Sequence, residues 1–278
     1  MADKLTDIKE ELALANRILA HEGVLDAFGH VSVRHPGDPG RYLLSRSRSP
    51  ALIEPADILE YTLDSEPVRP PTAHLYAERV IHGCIYQARS DVTAVCHHHA
   101  PSVMPFVIAG KPIVPVFHLG AVMGKVQFWD QRDEFGDTNM LVVKPEEGAS
   151  LARALGPHWT VLMRRHGATV AGTSLRELTF RTVFTCDNAR LQSQAMAHGR
   201  VDALSAGEAK LTSSHQLRPP STNRAWDYWL RQIEKAGLMP ARVAAKGASS
   251  SRAHGKTGAK RAATKSARKS TAKSKRRR

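Results

Sequence analysis

The sequence predicts a mixed α/β domain built in layers, followed by a basic appendage. Three observations lead there. Short runs with strand-like patterns cluster between His30 and Ala171, helical periodicity precedes, interrupts and follows them, and the composition changes abruptly near the C-terminal end. At 278 residues the chain can bury one large core. The expected division is a folded domain over 1–240 and a disordered Lys/Arg/Ala-rich tail over 241–278.

Residues 4–22 place Leu12, Ile18 and Leu19 among charges at helical spacing, and Gly23 supplies a stop. Residues 30–34 alternate as a strand, 36–40 read as a turn, and 42–45 as the hairpin partner. A basic loop, Arg46-Ser-Arg-Ser-Pro50, precedes another strand over 58–63. Thr72, after Pro70-Pro71, is placed to cap a helix over 73–88, on which Glu78 and His82 would share a face. The histidine run at 94–101 follows and breaks at Pro101. Residues 112–117 form an extended run ending in His118, and 141–144 a further strand. A helix over 146–155 stops at Gly156-Pro157, and a buried strand over 160–163 meets Arg164-Arg-His-Gly167 and continues over 168–171. Helical periodicity over 175–198 and 226–236 closes the domain.

The formal net charge of +14 belongs to the tail. Residues 241–278 hold 14 Lys/Arg and no Asp or Glu, leaving 26 basic against 26 acidic residues in 1–240. From Gly247 onward no apolar residue exceeds Ala, which predicts disorder. Such a tail serves either as a weak, nonspecific arm for nucleic acid or other polyanions or as a solubilising extension. Three cysteines at unrelated spacings give no disulfide framework, and the charged N-terminus is unlike a signal peptide, so a cytoplasmic location is expected. No window approaches 18 uninterrupted apolar residues, so no membrane insertion is expected.

The chemistry concentrates in Ala94-Val-Cys-His-His-His-Ala-Pro101. On a strand, His97 and His99 share one face and His98 takes the other. Two imidazoles on one side of a rigid strand make half of a metal site; the bland alternative is a polar strand end. His166, at the end of an apolar strand and followed by Gly167, is the candidate third ligand. Glu78 is the candidate acid/base, because a carboxylate near a divalent cation can hold or release a proton.

From about Glu10 to Ala197 the chain resembles the class II aldolase/adducin family. The resemblance rests on Gly29-His-Val-Ser-Val-Arg34, Glu78-x-x-x-His82, the histidine run and Arg164-Arg-His-Gly167. It implies an αβα layered fold with a central mixed sheet, a homotetramer with sites near subunit interfaces, and one divalent metal ion (Zn, Mn, Fe or Co). Carried over by position, His97, His99 and His166 become the metal ligands and Glu78 the catalytic acid/base.

The departures point to the substrate. Sugar-phosphate members hold phosphate with an Asn, a Thr-Gly pair and two serines; the matching places here are His30, about Ser47-Arg48, and Tyr76-Ala77. His30, Arg46, Ser47 and Arg48 are therefore the expected substrate contacts, and guanidinium forks suit a carboxylate. Where aldolases carry a tyrosine proton donor, this chain has His118-Leu119, which makes His118 a second candidate for handling the proton. Within the family the chain looks most like the aromatic ortho-hydroxycarboxylate decarboxylases, which act on 3,4-dihydroxyphthalate or 3-hydroxy-2-methylpyridine-4,5-dicarboxylate. The resemblance thus implies a carboxy-lyase whose metal stabilises an enolate-like intermediate. A sugar-phosphate aldolase or epimerase and a non-catalytic adducin-like scaffold are the alternatives.

Overall fold

The computed structural model describes residues 2–241 and 243. The expected disorder of the tail concerns residues that lie, apart from Ala241 and Val243, outside the described ones. In chain order the elements are α1 (Ala2–His21), β1 (His30–Arg34), β2 (Arg41–Ser45), β3 (Ile58–Thr62), α2 (Val80–Ala88), β4 (Ala94–His98), α3 (Met104–Ala109), β5 (Val126–Trp129), α4 (Arg132–Phe135), α5 (Pro145–Leu155), β6 (Thr160–Met163), β7 (Gly167–Gly172), α6 (Leu175–Met196), α7 (Ala206–Gln216) and α8 (Pro219–Lys235). The strands form one seven-stranded sheet in the order β3-β2-β1-β4-β7-β6-β5. Neighbours run antiparallel except β5 and β6, which are parallel.

Alternation along the strands makes two cores. Val31, Val33, Leu43, Ala94, Cys96, Leu162 and Val170 face α1, α6 and α8. Tyr42, Leu44, Val95, Val161, Met163 and Ala171 face α2 and α5. A sheet covered on both faces explains why β4 is buried at every position and reads as a continuous apolar run into its histidines. The αβα layering expected from the sequence is the observed architecture. The charged N-terminal pattern forms α1, ended by Gly23 at φ +69°, and Ser174 caps α6 by accepting the Glu177 amide at 3.1 Å.

Two local expectations are corrected, and a third holds with a qualification. The helix expected over 73–88 begins only at Val80, and Thr72 does not cap it. Tyr76 is extended (φ −62°, ψ 132°) and buried, with its hydroxyl donated to the Arg48 carbonyl, and Glu78 (φ −88°, ψ 20°) sits in a short 3₁₀ turn. Tertiary anchoring of Tyr76 overrides the helical propensity of this stretch. Residues 112–117 are extended but join no strand. Pro112 and Pro115 lack donors, and α6 side chains act as the partner instead: Val114 N–H donates to Gln192 and Val116 N–H to Asn188, both at 2.9 Å. Residues 141–144 are also not a strand, because their amides go to side chains: Leu141 to Asn139, Val142 to Glu78, and Val143 and Lys144 to Glu147. The strand β5 and the helices α3, α4 and α7 carry too little local periodicity to stand out in the sequence.

Candidate metal centre

The sheet register assembles the site. His97 of β4 pairs with His30 of β1 on one side and with Thr169 of β7 on the other. His97 therefore sits in mid-sheet on the α2 face, fully buried, and His99 follows on the same face just beyond the strand end. His98 points into the opposite core, where burial holds its pKa down at about 3. His166 arrives from the β6–β7 turn, whose Arg165 takes a left-handed φ of 55°. That turn packs directly against β4: a Cβ on Gly167 would lie 2.2 Å from the His98 carbonyl oxygen. Only glycine permits the approach that carries His166 to the other two imidazoles.

One ligand atom from each of Glu78, His97, His99 and His166 falls within 4.8 Å of every other. The Nε2 atoms of His97 and His99 are 3.0 Å apart, Glu78 Oε2 is 3.8 Å from His97 Nε2, and Glu78 Oε1 is 3.6 Å from His166 Nε2. The rings of His99 and His166 stack at 5.2 Å, and both stand edge-on to His97.

The outer partners test whether a cation fits. Thr169 donates its hydroxyl proton to Met163 Sδ at 3.4 Å, so its oxygen is left to accept Nδ1–H of His97 at 3.3 Å. His99 Nδ1 faces the Asp26 carboxylate at 3.4 Å, as a donor would. With the proton of each neutral ring on Nδ1, two Nε2 lone pairs oppose each other at 3.0 Å. Burial and the neighbouring histidines lower the His97 pKa well below 6.5, so His97 itself favours the neutral form with a lone pair to offer. A divalent cation satisfies this arrangement: tetrahedral zinc with bonds of about 2.1 Å separates its ligand atoms by about 3.4 Å.

The expected substrate contacts are placed less uniformly. His30 lies beside the cluster, its ring 5.2 Å from that of His97 and 4.6 Å from that of Tyr76. Tyr76 in turn holds the Arg48 backbone. The guanidiniums of Arg46 and Arg48 both grip Asp57, each at 2.7 Å, which leaves the trio with one net positive charge. Ser47 is exposed, its amide donating to the His74 carbonyl at 2.8 Å. His118 is exposed too; its ring packs edge-on to Phe117, and no described contact joins it to the cluster. A cavity of about 200 Å³ opens at His166, lined among others by Trp129, Arg132, Thr138 and Arg164. Sequence reasoning missed Asp26, Asp57, Thr169 and the Val142 amide. Thr169 is reached only through strand pairing, and no local pattern marks the others as partners of the site.

A family model described as "Class II Aldolase and Adducin N-terminal domain" matches residues 10–193. The chain is 32% identical to Decarboxylase tropJ of Talaromyces stipitatus, over 80% of this chain and 92% of the relative. It is 30% identical to a 3,4-dihydroxyphthalate decarboxylase of Arthrobacter keyseri, over 82% and 94%. Among solved structures, L-fuculose 1-phosphate aldolase from Glaciozyma antarctica superposes with a TM-score of 0.71 at 22% identity, covering 85% of this chain and 92% of the neighbour, a likeness of fold.

Proposed function

Because the chain belongs to the class II aldolase and adducin family, we propose that it is a divalent-metal-dependent decarboxylase of a hydroxylated aromatic dicarboxylate, on a benzene or pyridine ring. The observation that carries the proposal is the convergence of three imidazoles and one carboxylate within 4.8 Å, with Thr169 and Asp26 behind two of the imidazoles. Relatives named as decarboxylases along nearly their whole length support the reaction type.

His97, His99 and His166 would hold the ion through Nε2. A bound divalent ion supplies Lewis-acid polarisation and offsets negative charge beside the bond that breaks. The cleavage leaves an electron pair on the ring as CO2 departs, and a proton must then reach the ring carbon. Glu78 is the group to deliver it: it is mostly buried, borders the ligands, and is held from behind by the Val142 amide. Arg46 and Arg48, with one net charge left after Asp57, would orient a second carboxylate. In this reading His30, whose ring is 5.2 Å from that of His97, and Ser47 would be the further substrate contacts. His118 lies outside its own chain's cluster, so it serves as a donor only if another copy brings it there, as a homotetramer would.

The test is a release assay on metal-loaded protein. CO2 from 3,4-dihydroxyphthalate or a hydroxypyridine dicarboxylate is expected; aldehyde from sugar phosphates with no CO2 would establish the aldolase alternative, and purified protein that takes up no divalent ion would establish the scaffold. Sedimentation analysis checks the tetramer. No helix of the described residues is long and apolar enough to cross a membrane.

A further inference from the structure

A buried chain of hydrogen bonds runs from the edge of the metal centre into the protein and ends there. His30 Nδ1 is 2.7 Å from His82 Nε2, His82 Nδ1 is 2.6 Å from Ser32 Oγ, and Ser32 Oγ is 2.7 Å from the Tyr86 hydroxyl. All four side chains are buried. Counting protons fixes the direction of every link. Burial pushes the Tyr86 phenol far above its usual pKa, so it keeps its proton. Among the described residues Ser32 Oγ is the only acceptor in its reach, since the neighbouring Val95 amide is itself a donor.

The phenol therefore donates to Ser32, and Ser32 has only His82 Nδ1 left to donate to. His82 is neutral, with burial lowering its pKa to about 3, and carries one proton. That proton is on Nε2 and goes to His30 Nδ1. His30 in turn carries its proton on Nε2. The opposite direction at the histidines would strand either the phenol proton or the Ser32 hydroxyl proton in the core without an acceptor.

His30 Nε2 has no partner among the described residues, yet it is not among the sealed-off unsatisfied atoms. The rings of Tyr76 and His97 flank that of His30, with centroids 4.6 Å and 5.2 Å away, so the side chain stands next to the metal centre. We propose that Tyr86, Ser32 and His82 are positioning residues that lock His30 as an Nε2–H donor toward an anionic substrate oxygen beside the metal centre. This explains why a fourth histidine next to three ligands is not itself a ligand: its lone pair is turned inward. A fixed neutral donor complements a carboxylate or phenolate whose other oxygen faces the cation. The substrate half of the inference rests on the decarboxylase reading; the tautomer does not.

The test uses full-length, zinc-loaded, ¹⁵N-labelled protein and long-range ¹H–¹⁵N spectra of its histidines, with His30 and His82 assigned through His30→Gln and His82→Gln. Both rings are expected as Nε2–H tautomers; His30 found as Nδ1–H overturns the proposal. Salicylate, the probe for an ortho-hydroxycarboxylate, is expected to shift the His30 Nε2 resonance, and an unmoved resonance in the presence of bound salicylate overturns the donor role. Ser32→Ala is expected to mix the His30 tautomers and weaken salicylate about tenfold at unchanged metal content, with Ser32→Thr restoring both. Wild-type salicylate affinity in folded Ser32→Ala overturns the positioning role. If these results hold but no hydroxylated aromatic acid releases CO2, the decarboxylase reading fails by itself and His30 stands as an anion donor.

Discussion

Glu78 Oε1 accepts the backbone N–H of Val142 at 2.9 Å. That bond accounts for two departures from the local sequence pattern. It removes the Val142 amide from any strand ladder, and it fixes Glu78 in the 3₁₀ turn before α2, aimed at the imidazoles rather than along a helix face shared with His82. Glu78 and His82 are four residues apart, yet they serve different networks.

Glu78→Gln keeps an acceptor for Val142 and removes the carboxylate. Turnover is expected to fall by about 10²-fold to 10⁴-fold with metal content unchanged. Metal analysis and CO2 release on the same preparation check it, and full activity would remove Glu78 from the chemistry.

Thr169→Val deletes the acceptor of His97 Nδ1–H without touching a ligand. Outer partners of this kind are worth about 10-fold to 100-fold in metal affinity. Competition with a chromophoric chelator should show that loss in Thr169→Val, while thermal unfolding in excess metal changes little.

Gly167→Ala would push a Cβ to 2.2 Å from the His98 carbonyl oxygen, against backbone that cannot swing aside. The β6–β7 turn must move, taking His166 with it. The expected result is a destabilisation of about 1–3 kcal/mol together with weakened metal binding. Denaturant unfolding and metal titration measure the two effects separately.

Asp57 joins Arg46 and Arg48 and accepts the Glu54 amide. Burial alone would raise its pKa, but the Glu54 amide and the two guanidiniums together outweigh that and lower it. A carboxylate with a depressed folded-state pKa contributes stability above its unfolded value of about 3.9, and that contribution is lost as pH falls through the folded value. Unfolding midpoints should therefore drop as the medium is acidified below about pH 4. Asp57→Asn should be less stable at neutral pH and show a shallower acid dependence.

Removal of 244–278 takes away 13 of the 14 basic residues of the tail, all but Arg242. Binding to a heparin column, steeply salt-dependent in the full chain, should be lost, because the remaining charges nearly cancel. Decarboxylation by the truncated protein should equal that of the full chain.

Much of the centre was legible locally. Period-two alternation placed His97 and His99 together and sent His98 to the other core, and the sheet at 30–34, 42–45 and 160–171 followed from the same periodicity. The chain by itself also determined the mixed α/β layering and the location of the net charge, and it singled out the three histidines and Glu78 that the fold gathers within 4.8 Å. Tertiary structure decided what no window of sequence contains: that β1, β4 and β7 lie side by side, bringing His30, His97 and Thr169 into register; that Arg46 and Arg48 are already joined to Asp57; and that Glu78 leaves the helix to meet the Val142 amide. The physical reason is range. Side-chain direction along a strand is a property of a few neighbouring residues, whereas hydrogen bonds between distant segments, such as His97 to Thr169, 72 positions apart, exist only after the core has chosen which strands adjoin.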